Sequence, residues 1–462
     1  MISLHALRGR AALVVGLGKS GRSAARALQS AGAVVSVWDD NTDAREQARA
    51  DGYTIFDAAR GDFAALDDVI WSPGVPHTHP APHPLAEKAK AVGLTLRCDV
   101  DLLAEARPAA QYVGITGTNG KSTTTALTAH ILKAAGKRIE VGGNLGFTAL
   151  DLAPLDADGI YVLELSSYQT ELTPHLSCRT AVLINISPDH LDRHGGLDGY
   201  IAAKKQMLEH QPDGATAVVG IDDTYCQAVA DDLMGEKRLH LVRMSSGGRV
   251  SGGVGVQDGF LQDDAFGSGE QIDLRGLATL PGQHNWQNAT AAYAVARDLD
   301  IPATTIAEAF RTFPGLAHRQ ETVGAFKNVT FVNDSKATNA DAASNALRCY
   351  GCVYWIAGGV PKAGGITTLG PLFGRIRHAY LIGDAVPDFA DVLRRHGVAH
   401  TTYDNLEAAV AAAGSQALAD DIANATVLLS PACASFDMFS NFEERGDAFR
   451  RAVQSTWPEA RL

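Results

Sequence analysis

Residues 114–125 read Gly-Ile-Thr-Gly-Thr-Asn-Gly-Lys-Ser-Thr-Thr-Thr, between an apolar run (QYVGIT) and a helical pattern. Glycines let backbone N–H groups turn toward a phosphate, and a helix start adds the positive end of its dipole. Lys121 then reaches the outer phosphates of a nucleoside triphosphate, and the Ser122 hydroxyl ligates Mg²⁺. The spacing departs from the Walker pattern, which needs glycine where Ile115 stands. The working core is Gly117, Thr118, Asn119, Gly120, Lys121 and Ser122, with Thr123 beside it. A glycine turn with a stray lysine explains this poorly, because glycines, lysine and hydroxyls fall in register. The loop reads as an ATP site. Glu164 closes the run YVLEL, at the strand end where open parallel sheets bind ligands. A strand-borne acid needs a partner, and Mg²⁺ beside Ser122 is the natural one.

A second glycine loop, Val15 to Gly21 (VGLGKSG), follows the apolar run AALVV. It reads as the G-x-G-x-x-G turn of a dinucleotide fold, and the next apolar run ends in Asp39 and Asp40, where an acid that grips a ribose sits. Alone, this describes an NAD(P)-dependent dehydrogenase. That reading ignores the loop at 114–125 and offers no hydride-transfer residue. Three other groupings suggest metals or redox chemistry. His190 and His194 are spaced H-x-x-x-H, but in a polar, glycine-bearing loop with no H-E-x-x-H, which argues against zinc. His77, His79 and His83 lie in VPHTHPAPHP with no carboxylate or cysteine beside them, so a solvent-exposed loop is expected. Cys349 and Cys352 (CYGC) have no second pair, and read as buried or incidental thiols.

The elements that must position these loops alternate strand and helix, the pattern of parallel sheets with crossover helices. AALVV, VVSVW, DVIWS and LTLRC are strands of a first unit. The pattern restarts after Pro108 with QYVGIT, then YVLEL, AVLINI and ATAVVG, a hairpin in GGRVSGGVGVQDGFLQ, and a helix from Asn285 to Leu299. A third alternation (VTFVND, CVYWIAGG, HAYLIG, TVLLSP) begins beyond FPGLAHRQE. The expected domains are therefore 1–108, 109–315 and 316–462, all α/β: an N-terminal Rossmann-like domain, a central P-loop-type ATPase domain and a C-terminal Rossmann-like domain.

The G-T-N-G-K-S core resembles the ATP loop of the Mur ligase family. The resemblance continues in family order through VGGNLG (141–146), LELSSYQ (163–169), NISPDHLDRH (185–194), YIAAK (200–204), GQHNWQN (282–288), AHR (317–319), NDSKATN (333–339) and SPACASFDMFSNFEERG (430–446). It spans all three domains and is nearest the branch of the family that adds D-glutamate. The family phosphorylates a substrate carboxylate with ATP, and an incoming amine attacks the acyl phosphate. The implied substrates are UDP-N-acetylmuramoyl-L-alanine and D-glutamate, with ATP and two Mg²⁺ ions. The resemblance implies that His190 contacts the second Mg²⁺ and that Lys204 is carbamylated by CO₂, although composition alone makes Lys204 a surface lysine. Asn144 and Ser166 lie near the reacting carboxylate or muramoyl part. Asn288 and Arg319 hold adenine and phosphate, Asp334 the ATP ribose, and Lys336 the phosphate or the intermediate. Thr338, Lys362, Ser435 and Phe442 take the glutamate, with a packing aromatic as the ordinary alternative for Phe442. In this family the first glycine loop holds UDP, so Gly18, Lys19, Ser20 and Gly21 face a pyrophosphate. Gly74 joins that site, and Asp39, Asp40 or Asn41 approaches the uridine.

Bulk properties agree. The chain has 462 residues, 46% apolar and 20% charged, with a net charge of −12. That is a soluble multi-domain chain, and its acidity argues against nucleic acid or an anionic membrane as partner. No secretory h-region or run of about 18 apolar residues is present, so a cytoplasmic monomer is expected. Within the family, an L-glutamate-adding relative or a ligase for another amino acid is the alternative.

Overall fold

The structure is a computed structural model that describes residues 1–267, 269–362 and 364–461. The chain forms two compact units, Met1–Arg275 with Asn285–Thr312, and Gly276–His284 with Phe313–Leu462. Among the described residues, three sheets flanked by helices give the α/β architecture expected.

The N-terminal sheet is five-stranded and wholly parallel, in the order Thr54–Ile55, Val34–Trp38, Ala11–Val15, Asp68–Trp71 and Leu96–Arg97. The strand read in LTLRC shrinks to two residues, because Cys98 already precedes the helix Asp99–Ala106. The central sheet has nine strands. Its parallel core runs His240–Ser245, Thr216–Gly220, Thr180–Leu183, Gln111–Thr116, Gly159–Glu164 and Arg138–Gly143. The predicted hairpin forms at its far edge, Val254–Gln257 against Phe260–Asp263, turning at Asp258 and Gly259, both at positive φ. One continuous apolar core runs from Leu13, Val14 and Trp71 of the first sheet to Tyr161, Leu163 and Leu183 of the second. Shared burial of this kind is why the two sheets belong to one unit.

The C-terminal sheet has six strands, in the order Glu321–Phe326, Val329–Asn333, Ala425–Leu429, Cys352–Gly358, Ile376–Ile382 and His400–Thr402, with only the first pair antiparallel. Helices cover both faces, so the strand CVYWIAG is apolar throughout. Val353, Trp355 and Ala357 enter one core, while Tyr354 and Ile356 enter the other. Among the described residues, no helix is long and apolar enough to cross a membrane.

Candidate functional site

Three neighbouring strands deliver the central site. Gln111–Thr116 feeds the glycine loop, Gly159–Glu164 ends in Glu164 with Glu164 in register beside Ile115, and Thr180–Leu183 leads into the segment that carries His190. Loops that leave adjacent parallel strands at their carboxyl ends converge on one crevice. The helix Lys121–Ala134 starts directly after Gly120, which lies at φ +84°; a Cβ there would collide with the Asn288 side chain. Thr124 Oγ1 donates to Asn288 Oδ1 at 3.2 Å, and Asn288 is buried. The loop is anchored from below by Asn185. Its carbonyl accepts from Thr118 N at 2.9 Å, and its Oδ1 accepts from Asn119 N at 2.9 Å. Lys121 Nζ donates to the carbonyls of Gly117 and Thr118 (2.9 and 2.8 Å). Ser122 is buried, and Thr123 is half-buried beside it.

Glu164 is 2% exposed. Its Oε1 accepts from Asn144 Nδ2 at 3.0 Å, and Asn144 N donates to the Glu164 carbonyl at 2.9 Å. Its Oε2 is buried without a hydrogen-bond partner. A buried carboxylate oxygen in that state is costly unless a cation completes it. Ser166 caps the short helix Ser167–Thr170 in a capping box with Gln169. His190 sits at φ +51°, half-exposed, with its ring 5.2 Å from Tyr168. The run after it is helical over Leu191–His194, not the loop expected, and His194 turns inward to other partners.

Lys204 corrects its compositional reading as a surface lysine, because it is only 1% exposed. Its Nζ donates to the Gly117 carbonyl at 2.8 Å and lies 4.6 Å from the centre of the Tyr200 ring. Burial, reinforced by the nearby charge of Lys121, holds this amine well below the usual lysine range. Neighbouring Lys205 is the one that pairs with acids at the surface, Asp232 and Glu209.

In the first sheet, the glycine loop is stapled by Asp39. Its Oδ2 accepts from Leu17 N at 2.6 Å and its Oδ1 from Asn41 N at 2.9 Å. Gly21 packs directly on the Gly16 carbonyl, where any Cβ would clash, while Gly18 and Lys19 are exposed and Ser20 is half-buried. Asp40 accepts from Trp38 Nε1 (3.1 Å) and pairs with His83 Nε2 (3.1 Å). His83 Nδ1 accepts from Leu85 N, so Nε2 carries the proton given to Asp40. Gly74 is exposed in the same region. The expectation of a solvated histidine loop fails at His77, which is 5% exposed and lies 3.5 Å from Glu171. Packing of this loop against Glu171 and Arg193, invisible to composition, is the reason.

The second unit holds the remaining candidates. Lys336 Nζ stands 3.9 Å from the centre of the Phe442 ring, so Phe442 both packs and faces a cation. Thr338 N donates to the Lys336 carbonyl at 2.8 Å. Ser435 is buried, and the backbone pairing of Ala434 with Val360 brings its segment beside the one that leads to Lys362, which is exposed. Asp334 accepts from Ser430 Oγ (2.8 Å) and Gln320 N (3.2 Å), and burial pushes its carboxyl up to about 7. Arg319 is half-buried nearby and its charge favours the Asp334 anion. Cys349 and Cys352 are both partly exposed free thiols, and Cys349 Sγ donates to the Asn345 carbonyl at 3.1 Å.

Sequence reasoning missed two supports. Arg445 is 1% exposed and donates to Ser335 Oγ and to the carbonyls of Ser335, Cys433 and Ala434. It ties the Lys336 segment to the Ser435 segment, and burial lowers its pKa to about 10. Asn185 and its partner Gln287 (2.8 Å) hold the ATP loop. A lone arginine before Gly446, and an asparagine ending the apolar run AVLIN, were the available signals.

Residues 115–296 match the Mur ligase middle domain. The chain is 51% identical over 455 residues to the UDP-N-acetylmuramoylalanine–D-glutamate ligase of Paramagnetospirillum magneticum, covering 98% of both chains. It is 53% identical over 459 residues to the same-named ligase of Rhodospirillum rubrum, covering 98% of this chain and 96% of that one. Among solved structures, UDP-N-acetylmuramate–alanine ligase of Thermotoga maritima is similar in fold, with a TM-score of 0.55 at 19% identity over 97% of this chain and 100% of that one. A pseudomurein peptide ligase type C of Methanothermus fervidus gives 0.56 at 18% identity, over 96% and 99%. A dehydrogenase reading of the first glycine loop is thereby set aside: with full-length identity of this order and the ATP loop on its predicted strand, the chain belongs to the Mur ligase family.

Proposed function

We propose that this chain joins D-glutamate to UDP-N-acetylmuramoyl-L-alanine in an ATP-dependent amide synthesis, a step of peptidoglycan precursor assembly. The observation that supports it most is the convergence of the ATP loop, Glu164 and the His190 segment on adjacent strand ends, in a chain about half identical to named D-glutamate ligases. The chain acts as a cytoplasmic monomer on small-molecule substrates.

A carboxylate is a weak nucleophile toward an anionic triphosphate, so the site must offset negative charge. Lys121 and the start of its helix meet the phosphate oxygens. Ser122, Glu164 and His190 would hold two Mg²⁺ ions, which spread the charge of the transferring phosphoryl group. Glu164 fits this role through its unpartnered, buried Oε2. Lys204 fits carbamylation, because burial disfavours the protonated form of its amine and so favours the nucleophilic one. Its nitrogen lone pair bonds to the carbon of CO₂, one C–O π pair moves onto oxygen, and a proton leaves to water. The resulting anion assists the second metal position.

The substrate carboxylate oxygen attacks the γ-phosphorus while the bond to ADP breaks, which gives an acyl phosphate. The deprotonated amine of D-glutamate then attacks the acyl carbon, and the tetrahedral adduct collapses by expelling inorganic phosphate. Gly18, Lys19, Ser20, Gly21, Asp40 and Gly74 hold the UDP part, with Asn144 and Ser166 at the muramoyl end. Asn288, Arg319 and Asp334 hold the nucleotide. Thr338, Lys362, Ser435 and Phe442 take the glutamate, and Lys336 meets the phosphate. Positioning of this kind supplies roughly 7–11 kcal/mol of rate enhancement.

The test is phosphate release with UDP-N-acetylmuramoyl-L-alanine, ATP and Mg²⁺, comparing D-glutamate, L-glutamate, L-lysine and D-alanine. Release with D-glutamate alone is the expected result. Turnover only with another amino acid overturns the substrate assignment.

A further inference from the structure

One buried ring joins the segment that carries His190 to the segment that carries Ser166. His194 Nδ1 lies 3.1 Å from Glu171 Oε1, and its Nε2 lies 2.9 Å from Ser167 Oγ. With the carboxylate accepting from Nδ1–H, Nε2 accepts from the serine hydroxyl. The ring stacks on Tyr168 (centroids 5.3 Å apart, planes at 19°) and packs against Tyr200 at 5.4 Å. The Tyr200 hydroxyl in turn lies 3.0 Å from Thr118 Oγ1 in the ATP loop. The other Glu171 oxygen, Oε2, is 3.5 Å from His77 Nε2, in the loop that follows Gly74. Arg193, next to His194, donates to the carbonyls of His79 (2.6 Å) and Pro73 (3.4 Å) in that same loop.

Serine, histidine and glutamate in this order resemble a hydrolytic triad. Burial argues otherwise, because Ser167 is 3% and His194 4% exposed, which leaves no face for an acyl substrate. What the arrangement does is hold four segments together: the His190 segment, the helix after Ser166, the ATP loop through Tyr200, and the loop beyond Gly74 through Glu171.

We propose that His194 is a positioning residue of the ligase reaction. It fixes the His190 segment against the Ser166 helix and the ATP loop, so that groups on three different strand ends keep their mutual placement. The inference rests on the ligase reading above. Hydrogen bonds one step behind metal-holding groups of this kind typically control affinity and rate by about 10–100-fold.

The experiment compares the wild-type chain with His194→Phe, which keeps a ring over Tyr168 and loses both hydrogen bonds, and with Ser167→Ala, Glu171→Gln and the Ser167→Ala/His194→Phe double variant. Two readouts are taken: kcat and KM for phosphate release, and equilibrium Mn²⁺ binding with a non-hydrolysable ATP analogue, with free Mn²⁺ counted by electron paramagnetic resonance. His194→Phe is expected to lower kcat and weaken Mn²⁺ binding by about 10–100-fold with KM for D-glutamate held. Ser167→Ala should fall between it and wild type, and the double variant should be no worse than His194→Phe. Kinetics and Mn²⁺ affinity within about twofold of wild type, a lower melting temperature with kcat retained, or losses that multiply in the double variant each overturn the proposal. If His194→Phe does not fold, Ser167→Ala and Glu171→Gln decide by the same two readouts. A wild-type chain that releases no phosphate with any amino acid overturns the ligase reading, while Mn²⁺ binding still decides the role of His194.

Discussion

Lys204 separates stability from function more cleanly than any other residue in the central site. Replacing it with methionine keeps a flexible, unbranched side chain in the same buried space and removes the amine. The hydrogen bonds lost are the one to the Gly117 carbonyl at 2.8 Å and a long one to Thr116 Oγ1 at 3.5 Å, the first worth about 1 kcal/mol net, and the apolar side chain recovers a similar amount through burial. Where the unfolded amine is also neutral, the fold should therefore change by no more than about 1 kcal/mol. The pH dependence has a definite sign. Burial holds the uncarbamylated Lys204 amine below its unfolded value, so between the two values the unfolded chain holds the extra proton. Wild-type stability thus gains as pH rises from its folded pKa toward the ordinary lysine range, and Lys204→Met should lose that gain. Activity should behave differently. Removal of a preorganised charge at the transition state costs about 3–4 kcal/mol, or about 100- to 1,000-fold in kcat. Urea unfolding at pH 7 and pH 9, phosphate release, and rescue of Lys204→Ala by formate or acetate form the assay. Removal of CO₂ from wild-type buffers should lower activity reversibly, with bicarbonate restoring it. Full turnover by Lys204→Met, or an activity loss matched by several kcal/mol of destabilisation, would refute the reasoning.

Lys121→Ala should abolish phosphate release and leave the melting temperature nearly unchanged, since the Gly117 carbonyl keeps its Lys204 donor and Thr118 is only half-buried; near-normal turnover would contradict the ATP-loop assignment. Arg445→Met leaves the buried carbonyls of Ser335 and Cys433 without their arginine donor, so urea unfolding should report a loss of roughly 2–5 kcal/mol, with a raised KM for D-glutamate. For Asp334, burial raises the folded pKa to about 7, above the unfolded value. Its contribution to stability is therefore full at acidic pH and lost as pH rises through about 7. Asp334→Asn should remove up to about 4 kcal/mol of that decline between pH 4 and pH 8, measured as the difference between wild-type and variant unfolding free energies.

Strand identity was legible because apolar runs in buried parallel sheets need no partner information. QYVGIT became Gln111–Thr116 and CVYWIAGG became Cys352–Gly358 almost residue for residue. Short edge strands were not legible. Thr54–Ile55 and Gln271–Asp273 carry too few apolar residues to show a period, and their pairing is supplied by a neighbour already in place. The hairpin at Asp258-Gly259 was readable for the opposite reason, because its turn chemistry is local.

The site divides along the same line. Residues whose role follows from chain-local chemistry, such as a glycine before a helix or an acid at a strand end, could be named from their spacing. Residues whose role depends on a distant partner could not. Lys204 and Lys205 are adjacent and chemically identical, yet one is buried under the ATP loop and the other pairs with Asp232 and Glu209 at the surface. The helix Leu197–Glu209 turns its face between them, and only packing decides which lysine faces inward. Asp39 and Asp40 make the same point. Both end one strand, but Asp39 is committed to the backbone of the glycine loop and Asp40 to Trp38 and His83. A carboxylate already bonded to Leu17 N and Asn41 N shapes the loop that receives a ligand, whereas the exposed Asp40 has an open side toward one. An acid at the end of the second strand of a glycine-loop fold is therefore not by itself evidence of ribose recognition, and the hydrogen bonds it already makes decide which of two neighbours is available for it.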